Sequence, residues 1–262
     1  MISVTDKEWV KQKVNKNLVE KIKQDYGFGD ILSNLIISRN YDISEIYGIN
    51  HSQKLTNIFK DDRDYQKASL ILLNSIKNNE NICILGDYDV DGSCATALLV
   101  RYFNHINQQH FFYIPDRVKD GYGASKKLFQ KLILKKPKLI IMVDCGSTSY
   151  EAIDYLNQQN IKSIIIDHHE INKPYPKCDA LINPKKNIIE SEHTFLCATT
   201  LTYFFIDFLI KKNKSDFKLS KFLIYVLLAT VCDVMPLRKI NKIIGHKVIK
   251  EFNLKDNAAL SY

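Results

Sequence analysis

The stretch Ile82-Cys-Ile-Leu-Gly-Asp-Tyr-Asp-Val-Asp-Gly92 decides the fold. Its first four residues are all apolar, which is typical of a central parallel strand that is covered on both faces. An acidic loop follows directly, and residues 93 to about 105 then show a helical pattern with Ser93 as the predicted N-cap. A strand, a polar loop and a helix in this order predict one unit of a parallel sheet.

Three further strands and two further helices continue this pattern along the chain. The strands are predicted at 111–114, 139–143 and 161–166, and the helices at 125–135 and 148–159. Alternation of this length predicts an α/β fold with a doubly wound, mainly parallel sheet and flanking helices. Such sheets bind ligands in the crevice beyond the carboxyl ends of their strands.

The sequence on either side of these strands is mainly helical in pattern. Apolar residues recur at helical spacing in two parts of the first 80 residues, and again at 196–210 and 218–231. We therefore predict a helical N-terminal appendage over 1–80, an α/β domain over 81–240 and the start of a linker over 241–262.

The composition of the 262 residues is that of an ordinary globular chain, with 45% hydrophobic and 25% charged residues. Nine Gly and six Pro exclude a collagen-like or low-complexity architecture. The formal net charge of +8 fits a polyanionic partner, and it fits a Lys-rich genome equally well. Composition therefore indicates a globular protein but does not identify its partner.

Cysteine usage and apolar runs indicate a compartment. The six cysteines form no C-x-x-C pair, which argues against a disulfide framework and against a structural zinc site. The chain opens without an apolar stretch after a basic start, so no secretory signal is predicted. The longest apolar runs are far shorter than the roughly 20 residues that a membrane span needs. We predict a cytoplasmic protein that does not contact a membrane.

Acidic and histidine side chains follow the apolar strands. They are Asp87, Asp89 and Asp91 after the first strand, Asp144 after the third, the run Asp167-His168-His169 after the fourth, and Asp233 after the helical segment 218–231. Because the carboxyl ends of parallel strands share one edge, we expect these side chains to lie close together.

Each of these residues also has a plain structural explanation. Asp residues beside glycine commonly form Asx-turns, and Asp144 could cap the helix predicted from residue 148. The Asp-x-Asp-x-Asp-Gly string resembles a calcium-binding EF-hand loop, but the bidentate acid that such a loop needs is absent. The histidine pair alone would be a weak sign of a ligand pair.

Together, these residues favour a metal centre. So many carboxylates in one crevice repel one another, which raises their pKa values unless cations neutralise them. Carboxylate oxygens mixed with imidazole suit Mn²⁺ or Mg²⁺ better than zinc. Two such ions about 3.5–4 Å apart commonly serve the attack of water on a phosphoester. The residues therefore predict a two-metal phosphoesterase.

Four segments in this order resemble the successive motifs of the DHH phosphoesterase family: Gly86-Asp-Tyr-Asp-Val-Asp-Gly92, Val143-Asp-Cys-Gly146, Asp167-His-His169 and Val231-Cys-Asp-Val-Met-Pro236. The first of them, together with Pro115-Asp-Arg-Val-Lys-Asp-Gly-Tyr-Gly123, is similar to the RecJ branch of that family. Members of this branch are single-strand-specific 5′→3′ exonucleases.

The resemblance implies a role for each matching residue. Asp89 and Asp91 match ligands that hold one metal ion each, Asp144 matches a bridging carboxylate, and His168 and Asp233 match the remaining ligands. Asp87 and His169 match catalytic positions near the ions, with His169 against the scissile phosphate. The predicted substrate-binding residues are Arg117, Gly121, Tyr122, Gly123 and Asn183, of which Asn183 also matches a dipeptide that shapes the edge loop.

The sequence departs from the family pattern in three places. Threonines stand in the segment Leu196-Cys-Ala-Thr-Thr-Leu201 where relatives have a glycine-containing helix start, and Lys242 stands where they have arginine. No Gly-Gly-Gly-His string occurs, although family members generally continue into a second domain that carries one. The resemblance therefore implies the N-terminal catalytic part of a longer protein.

The predicted function is hydrolysis of single-stranded DNA from its 5′ end, releasing mononucleotides, in DNA repair and recombination. It implies two Mn²⁺ or Mg²⁺ ions as cofactors, single-stranded DNA as the partner, and a single-strand-binding protein or a helicase as candidate protein partners. One alternative is a phosphodiesterase for short oligonucleotides or cyclic dinucleotides, although those relatives carry a His where Leu85 stands. Another alternative is a non-catalytic DNA-binding module.

Overall fold

The computed structural model describes residues 4–8, 10, 12–51, 53–121, 123–186 and 193–253. Contacts within the chain divide it into two compact units, Met1–Lys54 and Leu55–Tyr262. The domain prediction, with boundaries at 80 and 240, stays a prediction.

The first unit consists of three helices: α1 (Lys16–Tyr26), α2 (Asp30–Ser38) and α3 (Ile43–Asn50). Its small core is formed by the buried residues Ile22, Phe28, Ile36 and Ile46. Helix α1 begins at Lys16, where the side chain of Asn15 accepts the amide of Asn17. Trp9 lies outside the described residues.

The second unit contains a parallel sheet of five strands: β1 (Ile82–Gly86), β2 (His110–Tyr113), β3 (Leu139–Val143), β4 (Lys162–Ile166) and β5 (Ala180–Ile182). Their order is β2-β1-β3-β4-β5, and every neighbouring pair is parallel. The sequence predicted four of these strands. It missed β5, because three residues are too few to show a pattern.

Helices connect and cover these strands: α4 (Arg63–Lys77), α5 (Val90–His105), α6 (Lys126–Leu132), α7 (Tyr150–Gln158), α8 (Ala198–Asn213), α9 (Leu223–Cys232) and α10 (Lys239–Glu251). Helix α4 packs on α8 and β5, and so belongs to the second unit. The segment predicted as the start of a linker, 241–262, includes most of α10, whose Ile244 and Val248 are buried in the core.

Both faces of the sheet are covered. Ile82 and Ile84 of β1 point into one core with residues of α5 and α8, whereas Cys83 and Leu85 point into another core with residues of α6 and α7. Alternate residues of a strand reach opposite faces, so an apolar strand such as β1 needs helices on both sides. The predicted doubly wound α/β fold is confirmed.

Helix α5 begins three residues before the predicted start. The side chain of Asp89, rather than Ser93, is the N-cap, and it accepts the amide of Gly92 at 2.9 Å. A Cβ atom on Gly92 would lie 2.5 Å from main-chain atoms of Asp87, so only glycine lets the helix begin this close to the strand. The acidic loop is therefore also the first turn of α5.

Four turns that lead from a helix into a strand share one conformation. Each contains a residue with a positive φ near +50°. These residues are Asn79 before β1, Asn107 before β2, Lys136 before β3 and Asn160 before β4. Left-handed residues of this kind commonly end helices, and Asn tolerates the conformation well. These turns define the amino edge of the sheet.

The opposite edge, which we call the carboxyl edge, consists of the loops that follow the strands. Between β1 and β3 the chain leaves toward opposite faces of the sheet, to α5 after β1 and to α7 after β3. This divergence opens a crevice, which is where ligands of such sheets bind. Among the described residues, no helix combines the length and the apolar character that crossing a membrane requires.

Candidate metal centre

The carboxyl edge gathers the predicted acidic and histidine residues. Three overlapping groups place one possible ligand atom of each member within 4.8 Å of the others: Asp87, Asp89 and Asp144; Asp144, His168 and His169; and Asp91, His168 and Asp233. All seven predicted metal and catalytic residues belong to at least one group. Asp144 and His168 each belong to two, so they join the cluster together.

Asp144 lies in the middle of this cluster. It follows β3 with a φ of 60°, and its amide donates to the carbonyl of Ile166 on β4, which fixes the turn. The side chain is buried, and neither of its carboxylate oxygens receives a hydrogen bond. Burial, together with the charges of Asp91 and Asp89, raises the pKa of Asp144 to about 11. The carboxylate is therefore unstable as an anion unless a cation accompanies it.

The imidazole of His168 faces three carboxylates through one nitrogen. Its Nε2 lies 3.2 Å from Asp144 Oδ1, 3.3 Å from Asp233 Oδ2 and 3.6 Å from Asp91 Oδ2. Burial lowers the pKa of His168, which favours the neutral imidazole. A neutral imidazole among carboxylates is the form that binds a metal ion.

Asp87 and Asp233 belong to different groups of this cluster. Asp87 follows β1 and is buried, whereas Asp233 follows α9 and is about one quarter exposed. Each has a buried carboxylate oxygen without a hydrogen-bond partner, and burial raises the pKa of each. Buried polar atoms in proteins nearly always have partners, so these oxygens call for a ligand.

The ligand atoms of the cluster suit a divalent cation. Oxygen ligands predominate, one neutral imidazole accompanies them, and several oxygens have no hydrogen-bond donor. Mn²⁺ and Mg²⁺ prefer this combination. The donor set therefore fits a hard divalent metal.

The carboxylate of Asp91 also binds the start of α8, a contact that the sequence motif did not predict. Its two carboxylate oxygens accept the amides of Ala198 and Thr199, at 2.6 and 2.7 Å, at the start of α8. The hydroxyl of Thr199 also donates to the carbonyl oxygen of Asp91 at 2.8 Å. Amides at a helix N-terminus are favourable partners for a carboxylate, so the start of α8 fixes the position of the Asp91 side chain.

Asp167 was part of the predicted motif but was given no role. Burial alone would raise its pKa, yet hydrogen bonds from His169 Nδ1 and from the amide of Ser147 hold the pKa of Asp167 below its usual range. The same contact with Asp167, at 2.8 Å, raises the pKa of His169. Asp167 therefore orients His169 and favours its protonated form.

Asn183 ties the loops of the carboxyl edge to one another. Its Nδ2 donates to Ser147 Oγ at 2.8 Å and to the carbonyl of His169 at 3.0 Å, while its Oδ1 accepts the amide of Lys185. These bonds use both amide hydrogens of a buried side chain. They favour the loop-shaping role of Asn183 over a substrate contact, which stays a prediction.

The predicted substrate-binding segment lies beside the first acidic loop. The guanidinium carbon of Arg117 lies 5.4 Å from the ring centroid of Tyr88, the residue between Asp87 and Asp89. Gly121 and Gly123 have φ values of 80° and 69°, which residues with a side chain rarely adopt. Tyr122 lies outside the described residues.

A surface ion pair with Asp116 or Asp120 is the alternative explanation for Arg117. Asp120 instead pairs with Lys131 at 3.1 Å and accepts the hydroxyl of Tyr113. Hydrogen bonds from Tyr113 and Lys131 lower the pKa of Asp120 to about 2. The acid therefore anchors the turn that carries Arg117.

Comparison with known proteins agrees with the family resemblance of the sequence motifs. The DHH family, N-terminal domain, matches residues 81–230. The single-stranded-DNA-specific exonuclease RecJ of Escherichia coli strain K12 is 30% identical over 190 residues, which cover 68% of this chain and 33% of that protein. Its counterpart in Dickeya dadantii is 27% identical over 214 residues, covering 75% of this chain and 37% of that protein.

Solved structures share the fold. A crystal structure of exonuclease RecJ bound to manganese has a TM-score of 0.63 at 23% identity, covering 74% of this chain and 47% of that one. RecJ in complex with Mn²⁺ from Thermus thermophilus has a TM-score of 0.70 at 18% identity, covering 88% of this chain and 32% of that one. The chain thus spans well under half the length of the curated relatives given above.

Proposed function

Because the chain belongs to the DHH family, through that family's N-terminal domain, we propose that its carboxyl edge hydrolyses phosphodiester bonds in single-stranded DNA. Hydrolysis proceeds from the 5′ end and releases mononucleotides. The observation that carries this proposal is the convergence of five carboxylates and two imidazoles on one sheet edge. The sequence relatives that are named as single-stranded-DNA-specific exonucleases support the choice of substrate.

Two Mn²⁺ or Mg²⁺ ions fit this cluster as cofactors. Asp89 and Asp91 are proposed to hold one ion each, Asp144 to bridge them, and His168 and Asp233 to complete the set. When bound, such ions neutralise the carboxylates, lower the pKa of water and stabilise negative charge on a phosphate.

The remaining residues orient the substrate and hold protons. Asp167 accepts the Nδ1 proton of His169, so the Nε2 of this ring can donate a hydrogen bond to an oxygen of the scissile phosphate. The hydrogen bond to Asp167 raises the pKa of His169, which favours the protonated ring whose Nε2 carries the proton to donate. Asp87, the second proposed catalytic residue, has a buried oxygen that can accept a proton from the attacking water.

Arg117 is proposed to hold the strand by its backbone. A guanidinium binds a phosphate with two parallel hydrogen bonds, and the glycines at 121 and 123 let main-chain amides approach the strand closely. The basic balance of the chain, with a net charge of +8, favours the approach of a polyanion.

The test uses the full chain with a 5′-labelled single strand, the matching duplex and a dinucleotide, each with Mn²⁺. We expect release of mononucleotides from the single strand, little from the duplex, and none after chelation of the metal. The variant Asp144→Ala is expected to abolish release. The matched control is Asp154→Ala, an exposed acid on α7, which is expected to keep full activity.

The possible results separate the competing functions. Preferred hydrolysis of the dinucleotide would replace this proposal with a phosphodiesterase for short oligonucleotides or cyclic dinucleotides. Metal-dependent binding of DNA without hydrolysis would replace it with a non-catalytic module. The role in DNA repair and recombination, the cytoplasmic location and a protein partner such as a single-strand-binding protein or a helicase stay predictions.

A further inference from the structure

The segment from Val231 to Leu237, which we call the 231–237 rim, exposes an unusual amount of apolar surface. It runs from the last turn of α9 past Asp233 toward α10. The exposed fractions are 86% for Val234 and 54% for both Val231 and Leu237, and Cys232 and Pro236 are exposed as well. Five of its seven residues are thus exposed and apolar or weakly polar.

The backbone of the rim has a defined conformation. The amide of Met235 donates to the carbonyl of Thr230, and the amide of Val234 donates to the carbonyl of Val231. This is the Schellman arrangement at the end of a helix, in which the residue at the Val234 position adopts a left-handed conformation. Glycine usually occupies that position. Here it is valine, with a φ of 53°.

Valine is conformationally unfavourable at this position. Among the described residues, ten residues other than glycine have a positive φ: four are Asn, two are Asp, three are Lys, and Val234 alone is β-branched. A β-branched side chain in this conformation is strained. Burial does not compensate for this strain, because the side chain is 86% exposed. The strain at Val234 is therefore not offset by packing within the described residues.

The rim borders the candidate metal centre directly. Asp233, which precedes Val234, has its Oδ2 atom 3.3 Å from His168 Nε2. The rim is also held in place, since Asn241 is buried and its Nδ2 donates to the carbonyl of Pro236 at 3.0 Å. A phosphodiester at the metal centre would place its neighbouring nucleotide within reach of a rigid apolar surface.

The charge beyond the rim suits a nucleic-acid strand. From Val234 to Lys250 the sequence contains no acidic residue, and it contains five basic ones: Arg238, Lys239, Lys242, Lys247 and Lys250. Of these, Lys247 pairs with Glu251 at 3.0 Å. An apolar surface followed by positive charge matches a nucleotide, whose base is flat and apolar on its faces and whose phosphates are anionic.

Building on the proposed function, we propose that the 231–237 rim, centred on Val234, contacts the base of the nucleotide next to the scissile phosphate. Val234 is thereby a specificity-determining residue for strands that carry bases. Such contact with the face of a base does not depend on its identity, which suits an enzyme that acts on any sequence.

The test compares two substitutions of Val234 in the full chain. Val234→Gly removes both the side chain and the strain, whereas Val234→Thr keeps the shape and the strain but makes the surface polar. Leu134→Thr is the matched control, because Leu134 is 79% exposed in the turn before β3, at the amino edge. Binding is measured by fluorescence anisotropy with a labelled oligo-dT strand, using Ca²⁺ in place of Mn²⁺, and with the same strand carrying abasic sites.

We expect both Val234 variants to weaken binding of oligo-dT about three- to tenfold and to bind the abasic strand as the unchanged protein does. Mn²⁺ affinity by calorimetry is expected to stay the same, and Val234→Gly is expected to raise the Tm. Equal loss on both strands would overturn the contact with the base. Loss of self-association in either variant, seen by light scattering, would instead make the rim a contact between copies of the chain.

The failure of this inference differs from the failure of the proposed function. If the unchanged protein binds and cleaves single strands while both Val234 variants bind them equally well, only the inference on the rim is wrong. If the unchanged protein binds no single strand at all, the proposed function fails first.

Discussion

The two edges of the central sheet differ in how their polar groups are paired. At the amino edge, main-chain hydrogen bonds link neighbouring strands, as from Lys138 to the carbonyl of Asn81 and from Lys162 to the carbonyl of Lys138. At the carboxyl edge, carboxylate oxygens of Asp87, Asp144 and Asp233 are buried without donors. Among the described residues, eleven buried side-chain polar atoms have no hydrogen-bond partner, and five of them belong to Asp87, Asp144, His168 and Asp233.

This difference shows how one sheet separates stability from chemistry. Hydrogen-bonded turns at the amino edge lower the free energy of the folded chain, whereas the acidic cluster raises it until a cation binds. Substitutions at the two edges should therefore have opposite effects on the stability of the metal-free protein. Four predictions test that contrast, beginning with the largest effect.

The first prediction concerns Asp144. Because its folded-state pKa of about 11 lies above the usual value, the folded protein binds a proton there that the unfolded chain releases, and metal-free stability falls as pH rises above about 4. Asp144→Asn is therefore expected to raise the Tm of the chelator-treated protein at pH 8 while lowering Mn²⁺-dependent hydrolysis at least about 10³-fold. A lower Tm without metal would contradict the repulsion that we infer.

The second prediction concerns the metal. Free Mn²⁺ at 100 times its Kd should stabilise the protein by about 2.7 kcal/mol, or on the order of 5–10 °C in Tm. Since the ion must displace the proton of Asp144, the gain should be larger at pH 8 than at pH 6. Differential scanning fluorimetry measures both values. An equal gain in Asp144→Asn would place the ion elsewhere.

The third prediction concerns the anchor of Asp91. Thr199→Val removes the hydroxyl that donates to the carbonyl of Asp91, and we expect Mn²⁺ affinity to fall about tenfold, with recovery in Thr199→Ser. Thr202 is a buried threonine of the same helix whose hydroxyl has no partner. Thr202→Val is therefore the control, and calorimetry should find its Mn²⁺ affinity unchanged. Equal losses in both valine variants would indicate a general effect of α8.

The fourth prediction tests the amino edge. The Nδ2 of Asn81 donates to the carbonyl of Lys135 at 2.8 Å, and its loss in Asn81→Ala should lower the free energy of unfolding by about 1 kcal/mol. Urea denaturation measures this change. Hydrolysis and Mn²⁺ affinity should stay unchanged, and a loss of either would show that the two edges are coupled.

The sequence predicted the central part of the fold well, because β1 and β3 are continuous apolar runs bounded by polar residues and β4 ends in the apolar run Ile164–Ile166. It placed the start of α5 at Ser93, because the capping bond from Gly92 to Asp89 depends on a tight approach that only the folded chain shows. It did not predict α10 as a helix, because Ile244 and Val248 gain their burial only from packing in the core.

The candidate site was predictable where one rule applied, since acids after parallel strands must meet at one edge. All seven predicted metal and catalytic residues do meet there. The supporting contacts were not predictable, because Thr199 lies 108 residues from Asp91. A signal did exist for Asp167, which opens the motif that contains both histidines, and its hydrogen bond to His169 supplies the missing role.

The left-handed turns of the amino edge have a practical consequence for engineering. Asn79, Asn107, Lys136 and Asn160 occupy a conformation that glycine adopts without strain, and each lies roughly one strand length, about 15 Å, from the acidic crevice. Glycine at all four positions therefore offers a route to a more heat-tolerant protein, because the stabilising changes lie away from the acidic crevice.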